Sequence, residues 1–252
     1  MYHDIKKKEF KNFEKQIDII KKDGWKFIHP EELFNYKKKK FKGKNIILTF
    51  DDGFYSNSIV EKKILSKFKI KAAFFIPYNF IKLKRKSDVL KFIKTKLKIP
   101  NYKDDSPKRI NMNLNDLINL KKNQHVIGFH TKNHIELSKC RSIKKMKDEI
   151  LGFTETGFDK LINKSKFFSF PFGKLNDVDN RSYSLAKKKY KFIFLGIRGE
   201  NNDINLEHRL IFRDNIISSY NKKMLLSVIN GYFDILYIQK RIKIFKEYLY
   251  IY

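Results

Sequence analysis

The chain has 252 residues, 42% of them hydrophobic and 15% aromatic, with a formal charge of +29 at neutral pH. That apolar content excludes a disordered chain, and the length suits one domain of α/β-barrel size. The 56 basic residues divide into 48 Lys and 8 Arg, whereas base and phosphate recognition favours the forked guanidinium. Nucleic acid is therefore not an expected partner, and most of the charge is read as solvated surface.

Residues 9–23 place Phe10, Phe13, Ile17 and Ile20 on one helical face, with Gly24 as the stop. "WKFI" predicts a short strand and "PEELFNY" a helical turn opened by Pro30. "NIILTF", residues 45–50, is near-continuously apolar, as strands are in a parallel sheet covered on both faces. "SIVEKKILSKF" is the helix that follows, and "KAAFFIP" the next buried strand.

Residues 81–113 break this rhythm. They are basic, contain two prolines, and are read as an insertion carrying one helix, of a kind that can serve as a flap. The alternation then resumes: "NLNDLINLKK" as helix, "HVIGF" as strand, a helix around 142–163, "KFFSF" as strand, "NRSYSLAKKKY" as helix and "KFIFLGI" as strand. No repeat or linker divides the chain, so 1–252 is expected to be one domain. Residues 214–252 form a C-terminal helical extension, amphipathic and rich in Tyr and Lys. Packing over the barrel is its first reading; peripheral contact with an anionic membrane surface is its second.

One cysteine, Cys140, excludes an internal disulfide. "MYHDIKKKEF" has no apolar leader core, and no apolar run reaches the ~20 residues of a spanning helix. The expected compartment is the cytoplasm, including the inner face of its membrane.

Asp51 and Asp52 stand directly after the apolar "NIILTF", a costly place for charge unless something pairs with it. An Asp-Asp-Gly turn would explain them blandly. "GFHTKNH", residues 128–134, also follows a predicted strand. It sets His130 and His134 at i and i+4 on one face of a helical turn, about 6 Å apart at Cβ, close enough to share a metal ion. Thr131 stands where a zincin carries its catalytic Glu, so a protease of that type is excluded and a base must come from elsewhere. The Asp pair fits that need if the strands end on one face of a barrel. A third strand runs into "FFSFPFG", where a Pro-aromatic-Gly turn can offer a backbone N–H and an aromatic wall.

Together and in this order, "TFDDG" (49–53), "HTKNH" (130–134) and "FSFPFG" (168–173) resemble the motifs of the polysaccharide deacetylase family, also called the NodB-homology domain or carbohydrate esterase family 4. "FEKQIDIIKKDGWKFIHPEEL", "YKFIFLGIRGENN" and "LEHRLIF" extend the resemblance over about residues 1–215, interrupted by 81–113. It implies a distorted (β/α)7 TIM-like barrel. It also implies Asp52, His130 and His134 as ligands of a divalent metal, zinc first among them, with Asp51 as general base.

The oxyanion would meet the backbone N–H of Phe172, in the turn Pro171–Gly173. The third motif lacks the arginine that orients the base in many relatives, so Arg209 is assigned that role, and His208 that of general acid. The implied reaction removes an N-acyl group from a sugar of a surface polysaccharide or of its lipid-linked or nucleotide-linked precursor. A sugar deformylase and a catalytically idle glycan-binding module remain the alternatives. His3 and His125 are assigned structural hydrogen bonds, His29 the opening of a helical turn, and Tyr78 and Asn79 a strand-end turn.

Overall fold

The structure, a computed structural model, describes residues 1–249 apart from 40, 107, 153–156, 163–165 and 203–205. Strands β1 (Lys26–Phe27) and β2 (Asn45–Ile46) form a small parallel pair. The main sheet holds β3 (Leu48–Phe50), β4 (Ala72–Ile76), β5 (Val126–Phe129), β6 (Phe167–Ser169), β7 (Phe192–Phe194) and β8 (Leu210–Ile211), paired in that order and all parallel. Tyr2 adds a parallel bridge to Phe50 on the free edge of β3, and Ile216 N–H reaches Met1 O beyond β8. The amino-terminal residues thus fill the gap of a curled half-barrel. This is the distorted parallel barrel that the resemblance implies, with βα units as the strand–helix alternation predicts.

Side-chain alternation sorts the core. Leu48, Phe50, Phe74, Ile127, Phe129, Phe168 and Ile193 face outward, onto a helical layer that includes Phe13, Ile17, Leu117 and Tyr183. Ala73, Phe75, Val126, Phe167, Phe194 and Ile211 face inward with Leu33. Phe34 plugs the floor of the barrel, stacked 5.5 Å from Phe167 and edge-on to Phe192. The inward row has one gap, at Gly128, whose register partner is Phe75. A Cβ there would sit 2.5 Å from the Phe75 ring, so the glycine makes room for an aromatic core. Gly128→Ala is expected to destabilise the fold by about 1–3 kcal/mol through overpacking, read as a lower urea midpoint at unchanged slope.

The predicted helices form where capping and periodicity place them. Phe10–Lys22 buries Phe13, Ile17 and Ile20, and Leu114–Lys122 opens on a reciprocal Asn113–Asp116 capping box. The helix expected around 142–163 is found as Ile143–Leu151 and Gly157–Ile162, with 153–156 and 163 outside the described residues. Within 81–113, helix Lys86–Thr95 packs Val89, Phe92 and Ile93 with Phe54, Phe80, Leu97 and Ile110 in a cluster of its own. Helices Lys222–Ile229 and Ile238–Ile244 bury Leu225, Val228, Ile229 and Ile244 against the main core. Among the described residues no helix is long and apolar enough to cross a membrane.

Candidate active site

The inward row ends, at the C-terminal edge of the sheet, in polar residues. Alternation carries Thr49 to Asp51 past β3, Gly128 to His130 past β5, Phe167 to Ser169 on β6, and Ile211 to Arg213 past β8. Asp51, His130, Ser169 and Arg213 are all buried, and they converge. Asp52 leaves the alternation because its backbone turns left-handed, at φ 73°, followed by Gly53 at the same φ. The two adjacent carboxylates therefore point to different partners.

Asp52, His130 and His134 each offer a ligand atom within 4.8 Å of the others. Asp52 Oδ1 lies 3.2 Å from His134 Nε2 and 3.7 Å from His130 Nε2. On the far side of the rings, His130 Nδ1 meets Ser169 O at 2.7 Å and His134 Nδ1 meets Lys96 O at 3.0 Å. A carbonyl can only accept, so each Nδ1 carries the proton and each Nε2 turns a lone pair toward Asp52. Burial pushes the His130 imidazole down to about 4, so it is neutral near pH 7. Asp52 Oδ1 itself is buried without a hydrogen bond. Three lone pairs converging with no proton among them fit a divalent cation, and ring nitrogens backed by carbonyls are what metal-binding histidines require.

The sequence spacing suggested a helical turn for the histidine pair, and the structure corrects this. Residues 131–136 are a loop, with Thr131 and His134 left-handed at φ 61° and 52°. Its shape is imposed from outside. Asn79 N–H donates to Lys132 O, Asn79 Nδ2 to Asn133 Oδ1, and buried Glu149 takes both the N–H and the amide of Asn133. Tyr78 N–H donates to Thr131 O; Tyr78 and Asn79, expected in a strand-end turn, instead open the short helix Tyr78–Lys82, whose first N–H groups hold the site loop.

Asp51 is gripped by Arg213 through two parallel bonds, Nη1 to Oδ1 at 2.7 Å and Nη2 to Oδ2 at 2.8 Å. Ser169 Oγ accepts from Nη2 at 2.7 Å and faces Asp51 Oδ2 at 3.3 Å, while Arg213 Nε donates to Leu195 O. The guanidinium lies over the Phe75 and Phe194 rings at 5.1 and 5.7 Å. Burial alone would push the Asp51 carboxyl up; the Arg213 charge, with His130 and the Arg213 hydrogen bonds, more than reverses it and holds the group well below the carboxylate range.

Arg209 is therefore not the base's partner. It has the same strand parity as Arg213 but stands before β8 instead of after it, four residues or about 13 Å away along the strand. Arg209 is exposed at φ 62°, its N–H closing a turn onto Leu206 O, and half-buried His208 lies beside it at that N-terminal end. His208 is thus not placed to act as general acid. Arg213 had a legible signal: "LIF" followed by Arg213 and Asp214 repeats the pattern of "LTF" followed by Asp51 and Asp52.

The position of His3 beside the two carboxylates was not foreseen. Tyr2 N–H donates to Thr49 O and Asp51 N–H to Tyr2 O, so residues 1–3 run beside β3 and deliver His3 to its C-terminal end. Burial pushes both Asp51 and Asp52 up, and His3 is among the charges that hold both down. No spacing rule in the sequence announces this pairing. His125 keeps a structural role, accepting from Ala72 N–H at Nδ1 and facing Glu61 at Nε2. His29 caps its turn by accepting from Glu31 N–H.

Phe172 stands at φ 60° with its ring 4.8 Å from that of His134 and under Lys98 Nζ at 4.7 Å. Its N–H takes no backbone partner among the described residues. The turn from Pro171 admits only glycine at its next position: Gly173 has φ 65°, and a Cβ would lie 2.4 Å from Gly196 N. Lys96 and Lys98, from the 81–113 region, thus wall one side of the site.

The polysaccharide deacetylase family profile matches residues 38–191. The chain belongs to the polysaccharide deacetylase family. That makes it a hydrolase of amide bonds, in a metal-dependent family that acts on N-acetylated carbohydrates. The Streptococcus pyogenes deacetylase PplD, in complex with acetate, is 20% identical with TM-score 0.67, covering 87% of this chain and 86% of that one. A polysaccharide deacetylase from Bacillus cereus, BC0361, is 20% identical with TM-score 0.62, covering 87% of this chain and 61% of its own. IcaB from Ammonifex degensii is 18% identical with TM-score 0.53, over 82% and 84% of the two chains. At these identities the likeness concerns the fold. No curated protein matches the chain.

Proposed function

We propose that this protein is a metal-dependent N-deacetylase that removes an acyl group from an N-acylated sugar of a surface polysaccharide or of its lipid-linked or nucleotide-linked precursor. The observation that carries this reading is the buried triangle of Asp52, His130 and His134 beside an Arg213-clamped carboxylate, Asp51. A divalent ion held there, zinc first among the candidates, would supply Lewis acidity toward the amide carbonyl and lower the pKa of water toward ~7.

The protein's own groups do the rest. Arg213 keeps Asp51 ionised through the neutral range, so Asp51 is available to take a proton from the attacking water and, holding it weakly, to pass it on. The oxyanion contact is assigned to the Phe172 N–H, whose ring packs beside His134 and under Lys98 and limits water there. His29 and His125 are engaged elsewhere and His208 lies at the far end of the barrel, whereas residues 1–3 run beside β3 toward Asp51, so His3 is the histidine to which protonation of the leaving amine is assigned. Deformylation of a formamido sugar would use the same groups. A glycan-binding module would not need an intact triangle and a clamped base together.

The test is elemental analysis after reloading with zinc, followed by acetate assay on N-acetylated oligosaccharides. Wild type should retain about one ion per chain and release acetate, and Asp52→Ala should lose both. An intact, metal-free wild type would overturn the hydrolase reading.

A further inference from the structure

The C-terminal segment has two apolar faces. The inner one is core: Leu225, Val228, Ile229 and Ile244 are buried, and Phe245 packs edge-on to Phe212 at 5.8 Å. The outer one is open. Tyr232, Ile235 and Leu236, in the turn between helices Lys222–Ile229 and Ile238–Ile244, are 74%, 71% and 70% exposed. Ile238 and Ile242 continue the row on the second helix, and both are exposed. Single exposed apolar side chains are ordinary; a run of them in one turn and the helix after it is not.

The surroundings of the row are basic. Lys222, Lys223, Lys240, Lys243 and Lys246 are all exposed. The acids after helix Lys222–Ile229, Asp234 and Glu247, are occupied: Asp234 accepts from Glu200 N–H and faces Arg241, and Glu247 faces Lys243 at 3.6 Å. A second copy of a chain carrying +29 would bring a like-charged rim against this one. An anionic lipid surface is complementary to both parts. Apolar side chains and a tyrosine suit the headgroup–acyl boundary, and each nearby lysine adds electrostatic attraction to anionic headgroups.

The segment runs along the side of the barrel: Asn230 Nδ2 donates to Asp23 Oδ2, whose partner Lys44 precedes β2, and Asp234 accepts from Glu200 N–H in the loop after β7. Asp234 holds Glu200, and Arg241 lies so close to Gly199 that a Cβ there would fall 2.3 Å from its Nη1. Gly199 and Glu200 lie in the loop that leaves the C-terminal end of β7, the end to which the sheet also brings Asp51, His130 and Arg213. We propose that the face formed by Tyr232, Ile235, Leu236, Ile238 and Ile242 docks the protein on an anionic lipid bilayer. Docking is read without substrate, so it stands or falls separately from the hydrolase reading.

The experiment is co-sedimentation of the whole chain with vesicles of phosphatidylcholine containing phosphatidylglycerol, against vesicles of phosphatidylcholine alone. Wild type should pellet with the anionic vesicles, and added salt should weaken binding. The double substitution Ile235→Ser with Leu236→Ser should reduce it by about tenfold or more with an unchanged thermal midpoint, since both side chains are exposed. Lys240→Glu with Lys243→Glu should weaken it as well. The proposal is overturned if wild type stays in the supernatant. Equal pelleting of the serine variant would do the same, because the general basicity of the chain would then suffice. So would light scattering that shows a dimer dispersed by the same two serines.

Discussion

Arg213→Met should cost about 3–5 kcal/mol of stability at pH 7, because it strands a buried carboxylate that now has two short bonds to a guanidinium. The sign follows from the pair. In wild type the folded-state Asp51 carboxyl lies below its unfolded value, so its stabilising contribution is present above the unfolded pKa near ~3.9 and is lost as pH falls through the lower folded value. Without Arg213, burial dominates and the folded value rises above the unfolded one. The variant is then penalised most at neutral pH and progressively less toward pH 4. Urea unfolding of both proteins at pH 7 and pH 4 reads this as a difference that shrinks with acid; a difference independent of pH would mean that Arg213 acts through packing on Phe75 and Phe194 alone. Arg213→Lys keeps the charge but not the fork, and should fall between the two.

How much of this was legible in the sequence depended on range. The strands that build the site were readable because a parallel sheet buries both faces and writes its strands as apolar runs, "NIILTF", "KAAFFIP" and "HVIGF" among them. The candidate ligands Asp52, His130 and His134 were readable as strand-end residues and by family resemblance, and the structure brings their ligand atoms together. What failed was pairing across the barrel. Arg209 and Arg213 have the same parity beside one short strand, and only the direction of β8 decides which reaches Asp51. His3 was illegible for a related reason: its role depends on residues 1–3 docking on the free edge of β3, a contact with no local signature. The helical turn assigned to His130 and His134 failed because Asn79 and Glu149, far away in sequence, dictate the loop.

The adjacent carboxylates should part company on mutation. Asp51→Asn should lower kcat by about 10²–10⁴-fold while leaving metal content near wild type, because the ligand triangle does not include it. Asp52→Asn should act the other way round: it weakens the ion's site directly, so activity should recover in part as metal is raised, which it should not do for Asp51→Asn. The left-handed turn at Asp52 is what separates the two roles. It sends one side chain inward to Arg213 and turns its neighbour to the histidines, so a pair that composition alone would class as a turn divides between two sets of partners, as the proposed base and ligand roles need. If both variants lost metal equally, Asp51 would be a fourth donor, and its clamp by Arg213 would serve to orient a ligand. If neither lost metal, the triangle itself would be misassigned. The comparison needs only metal analysis and a progress curve at two zinc concentrations, and it tests the division of labour separately from the identity of the sugar.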